Sequence, residues 1–460
     1  MLQEVVEYKP EDLDKMSFEE YCRTVFDPKT AASKPEALKG YIALSPTQYI
    51  LGPASASYLA ELGAMVIKIE MPRLGEPMRH TTPYNEPYVY PCSRWVPDRG
   101  TGLGFTAANV NEYFISLDFR KPEAKEIMHS LMRKADIMLW NFRPGTFARW
   151  GFGYDAAQEV NPRLIQVWQG GFGGWGPGRK RASYDILGQA QGGCFSITGW
   201  PRKYGGAPSK HTIWLADFWG GQMGSTGALG ALYWREFVSG EGNYIEYSQV
   251  HGVTRQMEAA LPLWGRFGVV TQRWGNWDRN LCVHGIVKCG KSSYPDSDIP
   301  LEQEEGYILV SAYTDEDWQK LCEIMGRPDL AEQYPTHDDR VEAEAQEAIY
   351  PEIEKWTADK TKEEVYHILT EENGINSQPV WSSKEVANNP HFLERGEIVW
   401  LDDPYFGEMC HQGPLAMMSD TPRRIKWAWK PVGADNEFIY QELLGFSMAE
   451  IRDLEERAVI

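Results

Sequence analysis

The chain has few cysteines, and it lacks both a long apolar run and a secretory leader. Its acidic opening, MLQEVVEYKPEDLDKM, has neither a basic flank nor an apolar core, so it does not predict a signal peptide. No apolar run approaches the roughly 18 residues that a membrane span requires. The cysteines are odd in number and scattered, which excludes a disulfide framework and favours a reducing compartment. They are Cys22, Cys92, Cys194, Cys282, Cys289, Cys322 and Cys410. We therefore expect a cytoplasmic protein that does not associate with membranes.

Positive charge is also scarce. The 46 lysines and arginines are outnumbered by 65 aspartates and glutamates, which gives a net charge of −19. Such a surface repels phosphate backbones, so nucleic acid is not expected as a partner. The hydrophobic share of 42% and the charged share of 24% are usual for folded proteins and exclude wholesale disorder. Large rings, in contrast, are abundant, with 18 Trp, 23 Tyr and 17 Phe.

Strand and helix patterns alternate along the first half of the chain. The apolar runs YIAL, AMVIKIE, DIMLW and LIQVW are separated by helical segments, which predicts βαβ units and a parallel sheet. Further on, HGIVKC and GYILVSA predict antiparallel strands. The predicted fold class is α/β, with a Rossmann-like large domain and a smaller α+β domain. The predicted ranges are 1–36 for an N-terminal leader, 37–270 for the large domain, 280–395 for the small domain, and 396–460 for a return to the large domain.

Two glycine patterns resemble nucleotide-binding motifs, but their surroundings favour other structures. The segment from Gly285 to Ser292 fits the P-loop pattern, yet it contains Ile and Val and is followed by SYPDSDIP. A P-loop needs a helix at that point to bind phosphate, so we predict a β-hairpin instead. The sequence GFGGWG at 171–176 fits a dinucleotide pattern, but Pro177 follows where a helix should begin. We interpret it as a glycine loop that lets a ligand approach closely.

The sequence gives little support for a metal site or for a serine hydrolase. Cys282, His284 and Cys289 are close in sequence, but no second cluster supplies a fourth ligand at a usual spacing. No metal is therefore expected. A serine hydrolase of the α/β type would need a G-x-S-x-G elbow, which the sequence lacks.

Asp217 stands out among the acidic residues because it lies in WLADFWGG, just before a long helical segment rich in small residues. A carboxylate at that junction would be near the positive end of the helix dipole, which favours the ionised, nucleophilic form. A helix-capping aspartate is the alternative interpretation of the same position.

A series of segments, in order along the chain, resembles one family. They are GPASASYLAELGAMVIKIE with Gly75 and Arg79, SLDFRKPEAKE, NFRPG, NPRLIQVWQGGFG, SYDILGQAQGG, Asp217 with its glycines, and GINSQPV. This series resembles the class III CoA-transferases, which include formyl-CoA and carnitine CoA-transferases and are related to the α-methylacyl-CoA racemases. The resemblance covers about residues 37–458. It implies an interlocked dimer of Rossmann-like large domains with smaller α+β domains.

The resemblance also implies roles for individual residues. Asp217 matches the catalytic aspartate, which would form anhydride and aspartyl-CoA thioester intermediates. Gly220 and Gly221 are candidate donors for the developing oxyanion, and Asp185 is a candidate for orienting groups around the thioester. The racemases carry a histidine where this chain has Tyr184, and a phenol is a poor base at neutral pH, so transferase is favoured over racemase. The residues expected to bind coenzyme A, the substrate carrier, are Asn141, Phe142, Arg149, Arg79 and Arg73, with Arg179, Lys180 and Arg181 as weaker candidates.

The implied partners are an acyl-CoA donor, with succinyl-CoA as one candidate, and a carboxylic acid acceptor. A bulky or aromatic acceptor such as an arylsuccinate is expected because several rings lie in segments that would border the acyl pocket. These are Trp200, Trp214, Trp219, Trp274 and Trp277. Core and interface packing is the alternative role of these rings. The alternatives to a homodimeric transferase are an acyl-CoA racemase, a CoA-binding subunit paired with a paralogue, and a CoA-binding scaffold without activity.

Overall fold

A computed structural model describes residues 16–290 and 306–460 of the chain. The described strands are β1 (Ile42–Ser45), β2 (Met65–Glu70), β3 (Tyr113–Ser116), β4 (Ile137–Trp140), β5 (Ile165–Gly170), β6 (Tyr244–Ser248), β7 (His284–Lys288), β8 (Tyr307–Ser311), β9 (Ser377–Pro379), β10 (Ile398–Asp403) and β11 (Gly407–Gln412). The described α-helices are α1 (Phe18–Val25), α2 (Pro28–Ala31), α3 (Leu51–Glu61), α4 (Leu103–Thr106), α5 (Pro122–Lys134), α6 (Thr146–Arg149), α7 (Tyr154–Val160), α8 (Asp185–Gln191), α9 (Cys194–Ile197), α10 (Leu215–Trp234), α11 (Gln249–Arg255), α12 (Ala260–Phe267), α13 (Asp315–Met325), α14 (Pro328–Gln333), α15 (His337–Val341), α16 (Ala343–Thr357), α17 (Lys362–Tyr366), α18 (Ser383–Ala387), α19 (Pro390–Arg395), α20 (Asn436–Glu442) and α21 (Met448–Glu456). Short 3₁₀-helices and π-helical turns complete the set at Pro77–His80, Arg202–Tyr204, Arg235–Ser239 and His367–Glu372.

Six strands form a parallel sheet in the order β3-β2-β1-β4-β5-β6. All four residues of β4 are buried, because helices cover both faces of a parallel sheet. The strand order reverses its direction between β1 and β4. In open α/β sheets, ligands bind at such a reversal, outside the carboxyl ends of the strands. The predicted α/β class with a parallel sheet is confirmed.

Two small antiparallel sheets accompany the parallel one, β7-β8-β9 and β10-β11. Residues His284–Lys288 pair with Tyr307–Ser311, which confirms the predicted antiparallel pairing of HGIVKC with GYILVSA. The P-loop-like pattern therefore begins inside a strand. Lys291 and Ser292, which complete that pattern, lie outside the described residues.

The chain divides into two compact units. The first contains the described residues up to Cys194, together with His211–Glu258 and Ala387–Ile460. The second contains Phe195–Lys210 and the described part of Ala259–Val386. The segment 195–210 and α12 thus belong to the second unit, although the sequence analysis placed them in the large domain.

Helices α3 and α10 pack closely on each other in the first unit, and small residues make this possible. A Cβ atom at Gly221 would lie 2.7 Å from the Cβ of Ala54. A Cβ atom at Gly220 would lie 2.2 Å from the Cδ1 of Leu51 and 2.7 Å from the Tyr247 ring. The hydroxyl of Ser55 donates to the Gly221 carbonyl at 2.8 Å. The small-residue segment of α10 therefore fixes the position of the helix whose first turn carries Asp217.

Candidate functional site

Asp217 is the third residue of α10 and is only 9% exposed. The N-cap is Trp214, which makes no side-chain capping bond. The structure thus places the aspartate in the first turn, as expected, but does not use it as a helix cap. The backbone N–H of Asp217 donates to Asp185 Oδ2 at 3.1 Å. Because Asp185 is the first residue of α8, two helix N-termini bring two carboxyl groups together.

A short chain of hydrogen bonds holds the Asp217 side chain. The amide nitrogen of Gln249 donates to Asp217 Oδ1 at 2.5 Å. The hydroxyl of Ser183 in turn donates to Gln249 Oε1 at 2.5 Å. Gln249 is buried at the start of α11, directly after β6. The end of β6 thus positions Gln249 so that its amide donates a hydrogen bond to the Asp217 carboxylate.

Burial dominates the ionisation of this pair. It raises the pKa of Asp217 to about 8, with a further increase from the negative charge of Asp185 and an opposing decrease from the Gln249 hydrogen bond. Burial also raises the pKa of Asp185, against the hydrogen bonds from the Asp217 backbone and Gln189 and the positive charge of His211. The upward shift of the Asp217 pKa is opposite in direction to the one expected from the helix dipole.

A cleft opens beside Asp217 at the carboxyl end of the sheet. It is lined by six of the residues named from the sequence, which are Asn141, Phe142, Tyr184, Asp217 and the weaker candidates Arg179 and Arg181. Gln249 and a third arginine, Arg143, also line it. Tyr184 is 57% exposed and packs edge-on against Tyr49, with ring centroids 5.6 Å apart. The amide of Asn141 is held by the Gln48 backbone, because it accepts from the Gln48 N–H at 2.9 Å and donates to the Gln48 carbonyl at 2.7 Å.

Three predicted CoA-binding arginines lie elsewhere. Arg79 is completely buried, and its guanidinium binds both oxygens of Glu70, at 2.8 and 2.7 Å. Arg73 stacks over Trp95 at 5.2 Å. Arg149 donates to the Thr146 hydroxyl at 3.0 Å on the surface of α6. Arg79 is thus a structural ion-pair partner rather than a surface group available to an anion, which corrects the expectation.

The expectation that the backbones of Gly220 and Gly221 donate to an oxyanion is also wrong. Both residues lie beyond the first turn of α10, where backbone N–H groups donate within the helix. Their carbonyls are engaged as well, because Gln169 donates to Gly220 and Ser55 donates to Gly221. These glycines serve helix packing.

The GFGGWG segment lines the same cleft through Gly171, Phe172 and Gly173. Gly173 has φ +84°, a conformation that favours glycine. The next helix in the chain, α8, begins only at Asp185, so no helix follows the glycines directly as a dinucleotide fingerprint would require. The segment is a cleft-lining loop, in line with the interpretation from sequence.

Sequence reasoning missed Ser183, Tyr247 and Gln249. Tyr247 lies on β6, and its buried hydroxyl has no hydrogen-bond partner within the described part of the chain. Burial, followed by the negative charge of Asp217, raises the pKa of Tyr247 to about 12. No local pattern marks these residues. Only the position of β6 next to β5 in the sheet points to these residues, because it brings the carboxyl end of β6 to the cleft.

The five tryptophans assigned to an acyl pocket have different surroundings. Trp214 lines a second cavity of the first unit, of about 520 Å³, together with Tyr84, Phe218 and Phe406. In the second unit, Trp200 contacts Trp277 edge-on at 5.3 Å, and Trp274 donates to Gln346 at 3.3 Å. Trp219 lies on α10, partly buried. Ring packing thus accounts for Trp200 and Trp277.

Residues 16–290 and 306–460 contain neither a cluster that could hold a metal ion nor a helix that could span a membrane. Within these ranges no group of three or more His, Cys, Asp or Glu side chains is arranged to hold a metal ion. No helix in the same ranges has the length and apolar character needed to cross a membrane.

Comparisons with known proteins agree with the fold and identify the family. The model of the family described as "CoA-transferase family III" matches residues 38–436. Succinyl-CoA–D-citramalate CoA-transferase from Chloroflexus aurantiacus is 30% identical over 416 residues, which are 90% of this chain and 95% of that protein. Formyl-CoA:oxalate CoA-transferase from Streptomyces coelicolor is 30% identical over 438 residues, covering 92% of this chain and 99% of that protein.

Among solved structures, a CAIB/BAIF family protein from Brucella suis has the same fold, with a TM-score of 0.77 at 23% identity. The match covers 89% of this chain and 100% of that one. The family match, which spans most of the chain, confirms the resemblance found in the sequence. The chain belongs to CoA-transferase family III, and it is a CoA-transferase.

Proposed function

We propose that this CoA-transferase moves CoA from an acyl-CoA donor, with succinyl-CoA as the leading candidate, to a bulky or aromatic carboxylic acid such as an arylsuccinate. We further propose that Asp217 carries the covalent intermediates. The observation that carries the proposal is the buried Asp217 carboxyl group, oriented by Gln249 in an open cleft. The name of the Chloroflexus relative includes succinyl-CoA, which supports a succinyl donor.

The proposed chemistry needs a nucleophilic carboxylate and little acid or base catalysis. The Asp217 carboxylate attacks the donor thioester, the C–S bond breaks, and CoA leaves as a thiolate, giving a mixed anhydride. The thiolate attacks the Asp217 carbonyl, releases the donor carboxylate, and forms an aspartyl-CoA thioester. The acceptor carboxylate then attacks this thioester and forms a second anhydride. The released thiolate takes the acceptor acyl group and regenerates the Asp217 carboxylate.

The environment of Asp217 suits this sequence of steps. Both anhydrides hydrolyse readily, so the reacting carboxyl group must be shielded from water, and it is buried. Arg143, Arg179 and Arg181 supply positive charge in the cleft of an otherwise acidic protein, where CoA and the acids are anionic. Asn141 and Phe142 lie in the same cleft and are the proposed contacts of the CoA moiety.

The acceptor class is inferred from the aromatic cavity next to the first turn of α10. Trp214 and Phe218 lie on this cavity, and Asp217 lies between them in sequence. Residues at i and i+4 share a helix face, so the two rings lie together, next in sequence to Asp217. An acceptor with an aromatic group would stack there, whereas a small dicarboxylate would leave the cavity unfilled.

Position 184 favours transfer over racemisation in this proposal. A racemase needs a second base opposite the aspartate, and Tyr184 offers a largely exposed phenol instead of an imidazole. Uptake of deuterium at the α-carbon of an acyl-CoA, without CoA transfer, would contradict the transferase assignment.

A homodimer is the proposed assembly, because each unit exposes large apolar side chains that a soluble monomer would rarely leave uncovered. At the end of α10 in the first unit, Tyr233 is 65% exposed and Phe237 is 75% exposed. On α12 in the second unit, Trp264 is 60% exposed and Phe267 is 68% exposed. A cytoplasmic location is proposed because the seven cysteines, all of which lie in the described residues, form no disulfide with one another.

The substrate proposal is tested by incubating the protein with succinyl-CoA and a panel of carboxylic acids, and by identifying the new acyl-CoA thioesters by mass spectrometry. We expect the highest kcat/KM for acids with an aromatic ring. Trp214→Ala should reduce that preference, whereas Trp400→Ala, at an exposed tryptophan of β10, should retain it. The acceptor assignment would be contradicted if the wild type had the same kcat/KM for malonate-sized acids as for acids with an aromatic ring, and if Trp214→Ala did not change that ratio.

A further inference from the structure

The hydrogen bond at Asp217 distinguishes its two carboxylate oxygens. Oδ1 accepts from Gln249, and within the described residues no hydrogen bond reaches Oδ2. An ionised carboxylate only accepts, so the amide nitrogen of Gln249 must face it and the amide oxygen must face Ser183. Oδ2 is therefore the oxygen left for nucleophilic attack, and Oδ1 remains the carbonyl oxygen in the anhydride and the thioester.

Negative charge develops on that carbonyl oxygen in two steps of the reaction. When the CoA thiolate attacks the Asp217 carbonyl carbon, the C=O bond becomes a C–O⁻ bond before the donor carboxylate leaves. The acceptor carboxylate produces the same oxyanion when it attacks the aspartyl thioester. A buried donor already in contact with Oδ1 can stabilise this charge without reorganisation.

We propose that Gln249 is the oxyanion donor for the intermediates on Asp217, and that Ser183 is the residue that positions it. The inference rests on the proposed function, because it assigns a role within the covalent chemistry of Asp217. It replaces the backbones of Gly220 and Gly221, whose N–H groups lie in the interior of α10.

Packing holds the Gln249 side chain in the orientation that this role requires. Gln249 is 3% exposed. A Cβ atom at Gly188 would lie 2.9 Å from its Cγ and 2.9 Å from its Oε1, so α8 closes over the amide. Ser183 fixes the far end of the amide at 2.5 Å. The donor is thus held in place before the substrate arrives, which is what makes such a donor effective.

The other groups that face Asp217 come from several elements. Asp185 on α8 is negative, with His211 next to it in the chain segment before α10. Tyr247 on β6 is a neutral phenol, and Gln169 on β5 donates a hydrogen bond to the Gly220 carbonyl.

On α3, which packs along α10, Tyr58 faces Gln222 rather than the first turn of α10, and Glu61 pairs with Arg423. The arginines of the cleft are Arg143, Arg179 and Arg181. Gln249 is the uncharged donor in direct contact with Oδ1, the oxygen on which the negative charge develops.

The test compares Gln249→Leu and Gln249→Met with the wild type in rapid-quench experiments with succinyl-CoA. We expect the rate constants for forming and discharging the Asp217–CoA thioester to fall by about 10²–10³-fold, the usual cost of losing one oxyanion donor. KM for the donor should change only a few-fold. Removing the donor also disfavours the carboxylate, so the acid limb of the pH–rate profile should move to higher pH.

Ser183 is tested by Ser183→Ala, which should reduce kcat by roughly tenfold while KM stays close to wild type, since the amide loses its anchor but not its donor. Ser183→Thr keeps the hydroxyl and should restore the rate. The control is Gln166→Leu, which removes another completely buried glutamine, in β5, whose amide atoms lack hydrogen bonds in the described structure. It should react at the wild-type rate.

The outcomes separate this inference from the proposed function. If the wild type forms the Asp217 adduct and both folded Gln249 variants form it at the wild-type rate, the oxyanion role is overturned and the proposed function stands. If the wild type transfers CoA without an adduct on Asp217, both are overturned. If Gln249→Leu does not fold, the test rests on Gln249→Met, whose side chain is nearly isosteric with that of glutamine. Circular dichroism shows whether each variant is folded.

Discussion

At the residue scale, Asp217 combines deep burial with a proposed role that needs negative charge. Its pKa is raised to about 8, so the nucleophilic form becomes more abundant as the pH rises through 6 to 8. The negative charge of Asp185 contributes to this increase. We predict that Asp185→Asn lowers the pKa of Asp217 and moves the acid limb of kcat/KM for the donor to lower pH. The measurement is the pH–rate profile of the first half-reaction. A limb that moves upward, or does not move, would show that this charge does not control Asp217.

At the element scale, the packing of α10 on α3 sets where the Asp217 carboxyl group lies. We predict that Gly220→Ala destabilises the protein by about 1–3 kcal/mol, because the new methyl group would meet Leu51 and Tyr247 at 2.2 and 2.7 Å. Activity should fall with stability, since the helix must shift. Gly230→Ala, in the same helix but with no atom within 4 Å of the new Cβ, should be neutral or stabilise by up to about 1 kcal/mol. Urea denaturation measures the stability of both variants. Equal unfolding midpoints for Gly220→Ala and Gly230→Ala would contradict the packing role of Gly220.

Local sequence patterns predicted some of these elements and contacts but not others. The β4 segment IMLW predicted a strand because every position is apolar. The resemblance to the class III CoA-transferases, not a local pattern, implied that Asn141 and Phe142 of NFRPG bind CoA, and both line the cleft. Arg79 could not be placed in this way, because its partner Glu70 becomes adjacent only when the chain after β2 folds back. Gln249 lies 32 positions from Asp217. The contact depends on the sheet order, which local patterns do not specify.

At the scale of the whole molecule, the exposed rings at the end of α10 and on α12 predict self-association. We expect light scattering to give about twice the 52.4 kDa of one chain. Trp264→Asp should shift the mass toward that of a single chain, because a charge cannot be buried in an apolar interface without large cost. Trp175→Asp, at another exposed ring, should leave the mass unchanged. A wild-type mass of one chain at micromolar concentration would contradict the homodimer.

The central claim is that Asp217 carries the CoA group during transfer. The most direct measurement is peptide mass spectrometry of the protein after incubation with succinyl-CoA, with and without hydroxylamine. We predict a CoA adduct on the peptide that contains Asp217, and its conversion by hydroxylamine to a hydroxamate at the same residue. An unmodified Asp217 during active turnover, together with full activity in Asp217→Ala, would contradict the account.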